Sequence, residues 1–482
     1  MYPRHGWLRR ILHFSAWVLR QSFSEIPDAL DGNTFATTVD RTPIWLAAGN
    51  PLGNHPWVND PNTAFPSVVE VAVVGVGCAY RWSKQDTSLR ENGGKMIVLE
   101  MDDPACGASG RNEGLVVMGR YFAMVRDTVW PYIKEVRSDL TPKQCRQMAE
   151  QFAGVYARSA YKNADLVAQT VEQEGYECDY SRTGWIQARG EELQDALSES
   201  VEAGKRFGFD DWTTISPGDA LERGGMVIEA PAGFSRQAAS FHPAKWVWSL
   251  LQTALQQTNV ELFTRTRVSK IVDAGDNYEL TTAAGTVLSR YVINATESYT
   301  GILHRQYREL IQPVQTQAAF AVGGPEGMRA DIGLSGQQGF FGRHDSPRGN
   351  GVLFGSDQTP VSHRKAGNNK PSRFITKFLI GELKRYFRGS NSLHVTHETS
   401  GTPGFTADEF PVVGLMDGKR QYVIGGMCGS GTAVSFNGAR HVVQKILDLE
   451  GPDDYPVEYF GVTRLLDPEN HPWPSLHWER DA

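Results

Sequence analysis

Val71-Ala72-Val73-Val74-Gly75-Val76-Gly77-Cys78-Ala79-Tyr80 is the stretch that decides the fold. Its unbroken apolar, mostly β-branched start predicts a parallel strand buried on both faces. A glycine turn follows, then a helical stretch, then a second apolar strand, Met96-Ile97-Val98-Leu99, closed by Glu100. A strand, glycine turn, helix, strand and acid in that order hold a pyrophosphate and a ribose. Gly75 permits the sharp bend. Gly77, one residue beyond Val76, lets the backbone approach phosphate at the positive end of the helix. Glu100 stands at the spacing where an acid accepts hydrogen bonds from ribose hydroxyls.

The third glycine of a G-x-G-x-x-G turn is Tyr80 here. Two explanations fit. Tyr80 is a substitution that forces the helix away from the strand, or the helix begins at once and about five turn residues are missing. In the second case Gly77, Cys78 and Ala79 supply close helix–sheet packing. Either way the pyrophosphate cradle is weakened.

The chain has 482 residues, enough for two or three domains with substantial cores. Its net charge of −7 gives no reason to expect a nucleic-acid partner. The five cysteines are scattered, odd in number and without C-x-x-C, which argues against a disulfide framework or a metal site. Residues 1–24 contain no acid, carry four arginines and place Trp7, Leu8, Ile11, Leu12, Val18 and Leu19 on one helical face. They are too short and too basic to span a bilayer. A presequence, a helix lying on a membrane surface and an untranslocated extension all fit; the last is expected, with a cytoplasmic location. Gly32–Pro66 reads as an irregular linker.

Strand and helix signals alternate downstream, which favours an α/β (α+β) fold. Thr141-Pro142 opens a helix running to about Gly175, and Lys245–Gln257 forms another. A short β series follows between Val260 and Ala295, and Ala433–Leu449 closes the core as a helix. Two glycine-rich loops stand out. Gly107–Gly114 offers Ser109, Gly110, Arg111, Asn112 and Gly114 as backbone and side-chain donors. Gly425–Thr432 runs from a strand into the last helix, so Gly429, Ser430, Gly431 and Thr432 form a backbone-donor site suited to partial negative charge.

In order and in coverage, these segments resemble the FAD-dependent oxidoreductases of the glycine/D-amino-acid oxidase superfamily, from about Val68 to Leu449. Gly107–Gly114 resembles that family's flavin loop. Val260–Val268 resembles its strand and turn passing the adenine, with backbone contacts from Val268. Tyr291–Thr300 (YVINATESYT), with Ala295, resembles its strand-to-loop return. Thr399–Gly414 followed by Gly425–Thr432 resembles its flavin-ring segment. Thr399 and Pro403 depart from an aromatic and a Met common there. The resemblance implies a Rossmann-like FAD-binding domain with a parallel sheet plus a mixed-sheet substrate domain. The expected boundaries are 1–66 for the extension and linker, 67–135, 241–310 and 400–450 for the FAD domain, 136–240 and 311–399 for the substrate domain, and 451–482 for a C-terminal tail.

The resemblance further implies oxidation of the C–N bond of an amine or N-substituted amino acid by hydride transfer to flavin N5, with O2 or another acceptor reoxidising the flavin. No covalent attachment point is evident: Leu115 and Val116 follow the flavin loop, and Cys428 reads as a buried thiol, so non-covalent FAD is expected. A substrate carboxylate calls for a bidentate arginine, with Arg343 first and Arg120 second. His242 is a candidate to face the flavin. A solvated arginine and a structural histidine are the plain alternatives for these three. A hydroxy acid or polyol phosphate as substrate, and a degenerate flavoprotein-like module that holds FAD weakly, are the competing functions.

Overall fold

The computed structural model describes residues 11–12, 14–16, 18–19, 35–56, 63–75, 78–85, 94–120, 122–188, 190–323, 332–336, 341–345, 351–387, 393–416, 418–448 and 455–476. Val76, Gly77 and most of the basic segment 1–24 lie outside these residues.

Two sheets organise the chain. The first runs in the order Lys270–Asp273, Tyr278–Thr282, Gly285–Asn294, Val68–Val74, Met96–Leu99, Val260–Phe263. Its central strands Gly285–Asn294, Val68–Val74, Met96–Leu99 and Val260–Phe263 are parallel. The apolar run predicted to be buried on both faces is so: Val71 and Val73 join one core cluster, Ala72 and Val74 another. Full burial of each valine is worth about 1.5–3 kcal/mol, which rewards β-branched residues at every position. Lys270–Asp273, Tyr278–Thr282 and Gly285–Asn294 form an antiparallel meander beside it.

The second sheet is mixed, in the order Phe35–Asp40, His394–Gly401, Gln312–Val322, Gly351–Pro360, Phe341–Asp345, Gly333–Ser335, Trp185–Gln187, Ala232–Ser235, Trp212–Ile215. One of its faces packs Ala319, Ala321, Val352 and Phe354 against the helix Arg373–Tyr386. The other turns toward the first sheet's loops.

The long helix forms as expected, Pro142–Glu174, with a capping box at Thr141 and Gly175 left-handed at its end. The segment read as an irregular linker differs. It contains the strand Phe35–Asp40, parallel to His394–Gly401, and a 3-10 turn Ile44–Ala48 that buries Trp45. The C-terminal tail carries two short helices, Val457–Phe460 and Thr463–Leu466, pinned to the fold through a buried Arg464. No helix among the described residues is long and apolar enough to cross a membrane.

Candidate functional site

Four segments come together at the carboxyl edge of the parallel sheet: the glycine turn expected at a pyrophosphate, the acid expected at a ribose, the turn expected at an adenine, and the strand-to-loop return. Gly75 takes φ +94 at the end of Val68–Val74, and a Cβ there would collide with the Ala295 carbonyl oxygen. Only glycine allows this approach. The amide N–H of Gly75 donates to the Leu99 carbonyl (3.0 Å), and that of Ala295 to the Val74 carbonyl (2.8 Å). Glu100 follows Leu99; its carbonyl accepts from the Thr266 N–H (2.7 Å), which ties the turn before the buried Val268 to the acid. The Glu100 carboxylate accepts from the Asp102 N–H at 3.0 Å and from the Met101 N–H. Burial, with a smaller push from Asp102, raises this carboxyl to about 7. An acid held at low dielectric beside a glycine turn suits a polar, hydroxyl-bearing partner such as a ribose. We expect Glu100→Ala to weaken FAD binding roughly 10- to 100-fold, the worth of about 1.5–3 kcal/mol for hydrogen bonds to a charged group. Flavin fluorescence titration would check it.

Tyr80 does not face that cluster. It is the second residue of a seven-residue helix, Ala79–Gln85, and is 6% exposed. Its ring stacks on Phe436 of the helix Gly431–Leu447 (6.1 Å), and its hydroxyl donates to Glu174 Oε1 (2.9 Å). Cys78 and Ala79 are fully buried in the cluster that holds Val71 and Val73. Small residues thus pack the helix onto the sheet while Tyr80 fills a seam between helices, the arrangement expected if the helix begins at once.

The loop Gly107–Gly114 is folded largely by its own side chains. Asn112 Nδ2 donates to the Ala108 and Ser109 carbonyls (3.1 and 3.0 Å), and its Oδ1 accepts from the Gly114 N–H (2.9 Å). Arg111 Nε donates to the Cys106 carbonyl (2.6 Å) and Nη1 to Thr399 Oγ1 (2.9 Å). Arg111 and Asn112 therefore hold the loop and dock it on the mixed sheet; what the loop offers outward is Gly107, Ala108 and Ser109, while Gly110 is buried against Ala105. Trp45 Nε1, from the former linker, donates to the Asn112 carbonyl (2.7 Å).

The two arginines expected to meet a substrate carboxylate and the histidine expected to face the flavin each have partners within the protein. Arg343, 1% exposed, donates from Nη1 to the Gly114 carbonyl (3.0 Å), with its guanidinium 5.1 Å from the Trp45 ring. It clamps the loop to the mixed sheet. His242, 0% exposed, caps the helix Pro243–Leu255, its Nδ1 accepting from the Lys245 N–H (3.2 Å). Arg120 pairs with Glu409 (3.2 Å) and donates to the Cys428 carbonyl (3.3 Å), so it stands at the second glycine loop with its charge matched.

That second loop is tied down by a residue the sequence did not single out. Glu297, at φ +47, accepts from the N–H groups of Gly404 (2.8 Å) and Met427 (3.1 Å). It lies two residues past Ala295, so one side chain connects the carboxyl edge of the parallel sheet to the loop before the helix Gly431–Leu447. Burial outweighs its backbone donors and lifts the carboxyl to about 7. Ser430 precedes that helix, and the Thr432 carbonyl accepts from Asn163 Nδ2 (2.8 Å). Cys428 is buried, its thiol pushed up to about 12 by desolvation.

Raised carboxyls have a signed consequence. Glu100 and Glu297 bind protons more tightly in the folded chain than their ordinary value of 4.5. The stability each contributes is present below about 4.5 and lost as pH rises through about 7. We expect the thermal midpoint of the flavin-free protein to fall between pH 5 and pH 8, and to fall less with FAD bound if ribose hydroxyls hydrogen-bond the charged form of Glu100. A thermal-shift series over pH, with and without FAD, would check both parts.

The chain resembles "Probable oxidoreductase OrdL" of Haemophilus influenzae, 25% identical over 252 residues, or 51% of this chain and 54% of that protein. The matched stretch thus spans about half of this curated relative. Glycine oxidase from Geobacillus kaustophilus superposes with a TM-score of 0.65 at 17% identity, over 83% of this chain and 99% of that one. L-proline dehydrogenase from P. horikoshii gives 0.65 at 15% identity, over 83% and 98%. Residues 73–445 match the family of FAD dependent oxidoreductases (DAO), and the chain belongs to that family, oxidoreductases whose cofactor is FAD.

Proposed function

We propose that the protein oxidises the C–N bond of an amine or amino acid, with non-covalently held FAD as its two-electron acceptor. The observation that carries the cofactor half is the meeting of Gly75, Ala295, Glu100 and Val268 at one sheet edge, joined through Glu297 to the loop before Gly431–Leu447. The chemistry that bound FAD would supply is acceptance of a hydride from the substrate carbon. The chain's own groups do the rest. Glu100 accepts from the ribose. The backbone at Gly107–Ser109 and at Gly429–Thr432 meets polar edges and developing negative charge. Arg343, Arg111 and Trp45 hold the first loop against the mixed sheet, so cofactor and substrate surfaces keep a fixed relation.

Support for an amine or amino acid comes from the family and from two structural neighbours named for glycine and L-proline oxidation. The non-covalent reading is supported by the buried, strongly raised Cys428 thiol and by Leu115–Val116, two apolar residues that pair as a strand with Ala239–Ser240.

Purified protein should show oxidised-flavin bands near about 380 and about 450 nm, lost to the supernatant on acid precipitation. Anaerobic bleaching should occur with members of a panel of amines and N-methyl amino acids and not with hydroxy acids. Bleaching by hydroxy acids alone would overturn the substrate class, and a protein that cannot be loaded with FAD would overturn the function.

A further inference from the structure

One acid of the flavin loop takes no part in folding it. Glu113 lies between Asn112, which caps the loop, and Gly114, whose carbonyl receives Arg343. Its side chain crosses to the mixed sheet. A Cβ placed on Gly355 would come within 2.7 Å of Glu113 Oε1, beside the Gln317 carbonyl oxygen and the Ala318 Cβ. Across the sheet Thr399 stands opposite Ala318, and Ala318 and Phe341 both stand opposite Gly355. Directly opposed residues share a face. Gly355 and Ala318 are thus the small positions in a row that faces the loop, and the room they leave is where the carboxyl sits. The next row, His397, Phe320, Leu353 and Arg343, lies on that same face.

Among the described residues, no side chain hydrogen-bonds or pairs with Glu113. The arginines of the loop and of the facing row have partners of their own: Arg111 the Cys106 carbonyl and Thr399, Arg343 the Gly114 carbonyl. His397 Nδ1 is bonded to Thr396 Oγ1. The donor to its carboxylate is its own backbone N–H.

Resting on the function proposed above, we propose that Glu113 receives the cationic amine of the substrate and takes its proton before the C–N bond is oxidised. The proton leaves the ammonium nitrogen for a carboxylate oxygen of Glu113, and the nitrogen regains its lone pair. The adjacent C–H bond then breaks with its electron pair, which leaves as hydride to bound FAD while the lone pair forms the C=N bond. The iminium product is hydrolysed by water, and Glu113 returns its proton to solvent. Burial pushes the Glu113 carboxyl up to about 8, much nearer to an amine than the ordinary 4.5 of a glutamate, which makes it a stronger acceptor for the ammonium proton. An anionic ligand lacks the charge that would offset ionising this acid.

Glu113→Gln keeps the shape and removes the charge; Glu113→Asp keeps the charge on a shorter arm. With an amine that bleaches the wild type, the reductive rate at pH 7.5 should fall on the order of 100-fold in E113Q. The difference should narrow toward pH 10, where the free amine dominates, and E113D should recover part of the loss. Betaine, an unreactive trimethylammonium acid, should bind E113Q at least about 10-fold more weakly by flavin difference spectra. Its uncharged-head isostere 3,3-dimethylbutyrate should bind both proteins alike. E113Q with full flavin occupancy, wild-type rates at every pH and wild-type betaine affinity overturns the proposal and leaves amine oxidation standing. A wild type that no amine bleaches, but whose betaine affinity still depends on Glu113, keeps the cation site and overturns the function.

Discussion

Replacing Tyr80 with glycine is expected to destabilise the protein by about 3–5 kcal/mol and to leave FAD binding no tighter. The ring is 6% exposed and stacked on Phe436, and Arg81 lies 4.1 Å from the other partner of that stack. Removing it opens a cavity between helices, ends the hydroxyl's hydrogen bond to Glu174 and adds about 1 kcal/mol for a glycine inside a helix. Tyr80→Phe should lose only the hydrogen bond, about 1 kcal/mol. If Tyr80 instead occupied the place of a third cradle glycine, Y80G would bring the backbone closer to the pyrophosphate and tighten FAD. Thermal midpoint and flavin titration, measured on the same preparation, separate the two: a stable variant with raised flavin affinity would return Tyr80 to the cradle.

Both sheets were unequally legible before any coordinates. Val71–Val74 and Met96–Leu99 announced themselves because a strand covered on both faces must be apolar at every position. Thr141-Pro142 and Gly175 marked a helix at both ends through local backbone chemistry, and the capping box bears this out. Phe35–Asp40 gave no such signal. It is an edge strand, partly polar, whose partner His394–Gly401 is most of the chain away. Trp45 hid in a proline- and asparagine-rich stretch for the same reason: its partner, the Asn112 carbonyl, has no trace in local periodicity.

Loop side chains were the weakest point. Residue type suggested that Arg111 and Asn112 donate outward, yet the nearest acceptors are carbonyls of their own loop and a threonine of the mixed sheet. Period and spacing fix which way a side chain points on a helix or strand but not on a 3-10 turn. The same limit explains Arg343. Its place on Phe341–Asp345 could be read, whereas the Gly114 carbonyl above it could not. Glu297 carried one usable signal, an acid within the strand-to-loop return and just past the strand's end at Asn294, at a position that proves left-handed.

Arg464→Met should be among the most damaging single changes in the chain, at about 3–5 kcal/mol, although it lies in the C-terminal tail. Arg464 is 0% exposed and Asp408 1%. The guanidinium donates from Nε and Nη2 to the two oxygens of Asp408 (2.7 and 3.0 Å), and Nη2 also reaches the Phe410 carbonyl (2.9 Å). Asp408 in turn accepts from Thr406 Oγ1 and the Phe410 N–H, in the turn that leads into Glu409, the partner of Arg120. Losing the arginine leaves a carboxylate buried with too few donors, and the cost is that of an uncompensated charge rather than of the pair itself. Asp408→Asn combined with Arg464→Met should therefore recover a large part of the loss, since the charge is gone while Asn can still accept from Thr406 and the Phe410 N–H. A double-mutant cycle on thermal midpoints tests this, and a double variant no better than R464M alone would show that the arginine acts through packing of the tail. Flavin occupancy adds a second readout: because Thr406 sits against Gly426 and Cys428, R464M should also lower FAD retention, whereas a substitution on the tail's exposed surface should not.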